Sequence, residues 1–311
     1  MAKELEDKLI KIPVLRMLVK FGKKIKIPGL EGLSLYDIIE MYVTGIIKGA
    51  LTTRAGGIAY SFFMAIFPFM LFILTLIPFI PIDSFSEGLI ALISEILPPK
   101  TFEAVDTVLL DIINNKQAGL LSFGFLGSIF LMTNGVNAIF GGFEYSYHVK
   151  EFRNVFRSYF LSMFISLIMA LFLLITVALT GFYQLILDGL KSKDIINDET
   201  LWLEFGRGAL FLIMIFTIVS ILYKYGTKSV KYSRFFSPGS VLTTSLSIFT
   251  FYLFGYYVNE FAQYNELYGS IGTLLILMLF VWLNAIILLL GFELNASIHS
   301  LQTKNKTSQT D

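Results

Sequence analysis

Residues Tyr268–Asn295 read YGSIGTLLILMLFVWLNAIILLLGFELN, and from Leu274 to Phe292 the stretch carries no charge and one amide, Asn284. As a helix it spans about 30 Å, the thickness of a bilayer's hydrocarbon core. Glu293 and Asn295 follow at once, where a helix would leave the hydrocarbon. A soluble domain could bury one such helix, but the chain repeats the pattern. Further apolar stretches lie at about 56–82, 120–142, 159–187, 205–223 and 238–258, with the quoted one as the last, at 270–293. The reading is an all-α polytopic membrane protein of six transmembrane helices.

Composition agrees. Of 311 residues, 55% are hydrophobic and 15% charged, against about 25% charged in ordinary globular chains. The absence of cysteine excludes disulfides, thiolate metal sites and a cysteine nucleophile. Two histidines, His148 and His299, offer little for zinc, and no metal or other cofactor is expected. The N-terminus is charged with both signs and lacks the compact apolar core of a signal peptide.

Residues 1–54 form a basic N-terminal segment. Ser34 with Asp37 marks a helix start, and Leu35, Ile38, Ile39, Tyr42 and Ile46 recur at helical spacing. It reads either as an amphipathic helix on the membrane surface or as a cytoplasmic cap. Residues 55–300 form the membrane domain, and 301–311 a disordered cytoplasmic tail. The first span holds Pro68, Pro78 and Pro81. Proline removes a backbone donor, so the span is expected to be interior and bent or broken near Pro68, or else one kinked helix ending at Pro78. Between the first two spans, Leu89, Leu92, Ile93 and Ile96, then Phe102, Val105, Leu109 and Ile112, make two amphipathic stripes divided by Pro98-Pro99.

Charge sets the orientation. With the N-terminus inside, 19 Lys/Arg fall on inner segments and 5 on outer ones. That asymmetry places both termini in the cytoplasm.

The stretch Arg54-Ala-Gly-Gly-Ile-Ala-Tyr60-Ser-Phe-Phe-Met-Ala-Ile-Phe-Pro68 resembles the first-span "LAY…LSLFP" pattern of the YihY/virulence factor BrkB family. Tyr268-Gly-Ser-Ile-Gly-Thr, with the Leu-Leu-Gly291-Phe-Glu293-Leu-Asn295-Ala exit, resembles that family's "YGSLGA…LLLGAELNA" end. The resemblance covers roughly residues 35–300. Gly56-Gly57 and Ala65-Ile66 depart from the family pattern. The resemblance implies a bacterial inner-membrane protein without a settled activity, to which an older ribonuclease label became attached. The residues speak against that label. Metal-assisted RNA hydrolysis needs clustered carboxylates or histidines, and the inner loops offer mainly Glu144, His148 and Glu151. No nucleic-acid partner is expected.

Several polar residues within the spans are candidates for a cavity or pathway. Asn134, Asn137, Gly141, Glu144 and His148 fall on one side of a helix. The two amides would line a cavity or bond neighbouring helices. Thr243, Ser247, Thr250 and Tyr257 share a face of the fifth span, bonding locally or facing a ligand. Glu293 is a pathway carboxylate or an interfacial one paired with Arg54 or Arg157. Asn284 lies on another face. Arg54 and Arg157 stand at the inner mouth, where a guanidinium could also meet lipid phosphate. Tyr60 is expected to pack its ring inside the bundle.

Two functions fit. One is a carrier or exporter of a lipid, an amphiphile or a small solute. The other is a non-transporting scaffold for envelope assembly, with a protein partner or a second copy of the chain. No GxxxxGK[ST] loop is present to bind a nucleotide, and no nucleophile–base pair marks an enzyme.

Overall fold

The computed structural model describes residues 34–76, 118–149, 151–191, 199–228, 235–261 and 270–310. Among these it forms seven helices: α1 Leu35–Lys48, α2 Leu51–Leu76, α3 Ala118–Glu144, α4 Val155–Lys191, α5 Glu199–Tyr225, α6 Pro238–Phe261 and α7 Ser270–Thr310. Four are long and apolar enough to cross a membrane, over Phe123–Glu144, Val155–Leu173, Phe205–Tyr225 and Leu274–Thr303. The described residues are helical, and the chain is thus a multi-pass membrane protein. The N-terminal 33 residues, the two stripes between the first spans, Pro78 and Pro81 lie outside the described residues.

Local sequence explains the helix ends. Ser34 precedes α1 as its expected cap position. The chain then turns at Gly49 and Ala50, and Ala50 takes φ 47°. Its carbonyl accepts from the Arg54 amide at 3.2 Å, opening α2 at Leu51. Pro238 starts α6, where its missing donor costs nothing.

Of the two readings of the first span, the structure follows the single helix: α2 runs on through Pro68 to Leu76 and is not broken there. Gly127 on α3 leaves room beside that proline, since a Cβ on it would stand 3.8 Å from the Pro68 Cβ. The expected disordered tail is instead the end of α7, which continues to Thr310. No glycine or proline follows Gly291 to stop the helix.

Helices α2 to α7 close a ring. Each packs on the next, and α7 returns to α2, while α1 leans on α7. Helix α4 shows how a ring helix divides its faces. Phe156, Phe160, Phe164, Leu167, Leu171, Ile175, Leu179 and Phe182 form an exposed apolar stripe. Ser158, Ser162 and Ser166 lie buried behind it.

The closest packing sits where α2 begins and α3 and α5 end. Ala55, Ile58, Phe140, Phe143, Tyr223, Leu289 and Phe292 are all buried there. Phe143 stacks on Phe292 with centroids 4.2 Å apart and planes 8° apart, and Tyr223 meets Phe143 edge-on at 5.6 Å. Glycines allow this proximity. A Cβ on Gly291 would lie 2.6 Å from the Gly239 carbonyl, so α6 and α7 touch backbone to backbone.

Candidate functional site

The packed end of the ring encloses an ion pair. Arg54 lies in the first turn of α2 and Glu293 well along α7, with side-chain exposures of 7% and 0%. Arg54 Nη2 donates to Glu293 Oε1 at 2.6 Å, and Nη1 donates to the Gly142 carbonyl at 2.7 Å. The other carboxylate oxygen accepts from Ser146 Oγ at 2.8 Å. Four segments meet here: α2, the end of α3, the turn after it and α7. Arg54 Nε is buried without a hydrogen-bond partner among the described residues. Arg54 is therefore the partner of Glu293, whereas Arg157 is exposed on α4. Arg54's guanidinium faces a carboxylate and a carbonyl rather than the surface.

Beside the pair, Tyr42 on α1 feels the same charge. Burial, then the negative charge of Glu293, pushes its phenol up to about 12. Lys48 ties α1 to the α3–α4 turn, its Nζ 3.4 Å from the Tyr147 hydroxyl and 4.8 Å from that ring's centre. In the same turn, buried Glu144 accepts from the Arg153 backbone amide at 3.3 Å. Arg153 Nη2 donates to the Tyr225 carbonyl at 3.0 Å. Burial lowers the Arg153 guanidinium's pKa, with Glu144 opposing.

Other sequence candidates are engaged inside the bundle. Asn137 Oδ1 accepts from Ser158 Oγ at 3.1 Å and from Ser162 Oγ at 3.4 Å, joining α3 to α4. Thr243 Oγ1 lies 2.5 Å from the Tyr223 hydroxyl and 3.3 Å from the Ile287 carbonyl. Ser247 is buried on the same helix. Asn284 Nδ2 turns back to its own helix, donating to the Phe280 carbonyl at 2.9 Å. Asn134 is half-buried on α3.

Two placements depart from expectation. Helix α3 ends at Glu144, so His148 falls in the following turn and does not continue the Asn134 face. Tyr60 is 55% exposed rather than packed, because α2 turns Ala55, Ile58 and Ala59 inward instead.

Sequence reasoning missed Ser146 and Tyr223, and read Asn295 only as a polar group at the exit of the last span. Ser146 completes the Glu293 site. Tyr223 links α5 to α6 and α7, its hydroxyl donating to the Leu288 carbonyl at 2.7 Å. Asn295 Oδ1 accepts from the Gly239 amide at 2.8 Å, and its Nδ2 donates to Ser237 Oγ at 2.9 Å. A period-four search would have found the serines of α4. Nothing in the sequence announces Tyr223, an apolar-looking residue in an apolar run. Among the described residues, no three His, Asp or Glu side chains stand close enough to hold a metal.

The virulence factor BrkB family profile matches residues 43–311. The chain belongs to the virulence factor BrkB family. The chain is similar to the ribonuclease-like protein YfkH of Bacillus subtilis (strain 168), 31% identical over 253 residues, covering 79% of this chain and 90% of YfkH. A UPF0761 membrane protein of Vibrio campbellii (strain ATCC BAA-1116) is 23% identical over 255 residues, covering 80% of this chain and 77% of that protein. No solved structure matches. The BrkB match takes in both partners of the buried ion pair, since Arg54 and Glu293 fall within residues 43–311.

Proposed function

We propose that this BrkB protein is a six-span carrier of the bacterial inner membrane, moving a lipid, an amphiphile or a small solute, with both termini in the cytoplasm. On this reading α2 and α6 cross the membrane with the four most apolar helices. The 19-to-5 partition of Lys/Arg supports the orientation. It carries no catalytic centre and binds no nucleic acid.

The observation that carries the reading is the buried Arg54–Glu293 pair. Charges inside a membrane bundle are costly and recur where a protein moves its cargo. A passive bundle could replace such a pair with apolar packing at little cost. This pair clasps α2 and α7, the two helices that close the ring. Releasing it would open the ring at its inner end.

Single cysteines at the buried Ala55 and Ala59 of α2, in a chain without natural cysteine, test this. Under the carrier reading they react slowly with a small aqueous thiol reagent applied from the cytoplasmic side, and Glu293→Gln speeds the reaction. Equal protection in both backgrounds favours the second reading, a scaffold that joins envelope proteins or a second copy of itself. That reading draws support from the internal bonding of Asn137, Thr243 and Asn284.

A further inference from the structure

Inside the ring, farther along α2 from Arg54, lies a cavity of about 180 Å³. Phe62 and Ala65 of α2, Met132 and Val136 of α3, and Met169 and Ala170 of α4 form most of its wall. Ser166 is a polar side chain on this wall, and it is already engaged: its Oγ donates to the Met163 carbonyl at 2.8 Å and lies 3.4 Å from Thr133 Oγ1. None of the polar candidates Asn134, Asn137, Thr243, Ser247, Asn284 or Glu293 reaches this wall. Apolar cavities of about 150 Å³ stay dry and accept apolar guests. A polar solute would find few hydrogen-bond partners on this wall.

A second, smaller space of about 40 Å³ adjoins it, sharing Met132, Ser166 and Ala170 and reaching Phe125 and Leu167. Phe125 and Leu167 are 43% and 40% exposed, on the surface that α3 and α4 turn outward. The two spaces together lead from the interior of the ring, between α3 and α4, to the face that meets lipid tails. At the other end the route is shut. A Cβ on Gly142 would stand 2.9 Å from Ile58 and 3.3 Å from Leu289, and below that layer sits the Arg54–Glu293 pair.

We infer that this crevice is an acyl-chain site, entered sideways between α3 and α4 by one tail of a membrane phospholipid. The tail's chemistry matches the wall, and the opening faces the only phase that supplies such tails. The inference deepens the carrier reading by naming its cargo as a lipid, and it rests on that reading.

The test is photolabelling of the full chain in nanodiscs, using phosphatidylglycerol with a diazirine at the end of one acyl chain. Label is expected on Met132, Val136 and Met169, as well as on the outward-facing Phe130 and Phe164. Ala170→Phe should cut the label at the three wall residues roughly tenfold, because the ring takes the volume of the tail, and leave Phe130 and Phe164 unchanged. Met169→Ala, which enlarges the space, should raise the label at Met132. Label confined to Phe130 and Phe164, or wall label indifferent to both substitutions, overturns the site. The carrier reading fails separately. If the wall is labelled but reconstituted protein moves no lipid, the site stands and carriage falls. If lipid moves while the wall stays unlabelled, the reverse holds.

Discussion

Glu293 has no exposed surface, and each carboxylate oxygen has a defined donor, Arg54 for one and Ser146 for the other. Removing one charge from such a pair strands the other in a medium that cannot solvate it. Glu293→Ala or Arg54→Ala should therefore cost about 3–5 kcal/mol, whereas the paired replacement Arg54→Met with Glu293→Leu should cost far less. Denaturant unfolding in detergent micelles measures both. Tyr42 gives a pH reading of the same site. Its phenol is neutral when protonated, and its folded pKa is raised from 10.0 to about 12. Any stability linked to it is present below pH 10 and lost as pH climbs toward 12. Tyr42→Phe should flatten stability in that window and leave it unchanged at pH 7 to 8. Sequence spacing alone leaves Glu293 with two eligible partners, Arg54 and Arg157. Distance along a chain does not say which helices become neighbours, and only ring closure between α2 and α7 decides it.

Helix contacts carry their own predictions. Ala50 holds a left-handed φ that an L side chain adopts only at a cost. Ala50→Gly should stabilise the α1–α2 turn by roughly 1 kcal/mol, read as a higher unfolding midpoint. At the α6–α7 crossing the sign reverses. A Cβ on Gly291 would press on the Gly239 carbonyl and on Tyr223, and backbone cannot swing aside. Gly291→Ala should cost about 1–3 kcal/mol and loosen the Tyr223–Thr243 contact. The long helices among the described residues overlap the apolar runs of the sequence, because runs long enough for a bilayer have few competing readings. Helix ends were less so. The tail looks too polar to be ordered, yet α7 reaches Thr310 because nothing in it stops a helix already formed. The hydroxyl and amide positions were visible as polar residues in apolar runs. Their partners were not, since Asn137 meets Ser158 and Ser162 only because α4 folds back along α3.

The described helices form a ring that is tightly packed at one end and hollow toward its middle. Its packed end holds charge, hydroxyls and stacked rings, while its hollow is apolar and opens sideways. That division suits a cargo whose tail enters from the bilayer and whose passage depends on the α2–α7 clasp. The cavity was invisible in the sequence, for it is the space left between side chains of α2, α3, α4 and α5 rather than a pattern in any one of them. The central claim is that this bundle carries lipid. The most direct test is the movement of a head-labelled fluorescent phosphatidylglycerol across proteoliposomes, followed by loss of fluorescence to an external reductant. The wild-type protein should expose more than the outer-leaflet half of the label, and Ala170→Phe should return the vesicles to that half. Wild-type vesicles indistinguishable from protein-free ones would contradict the account.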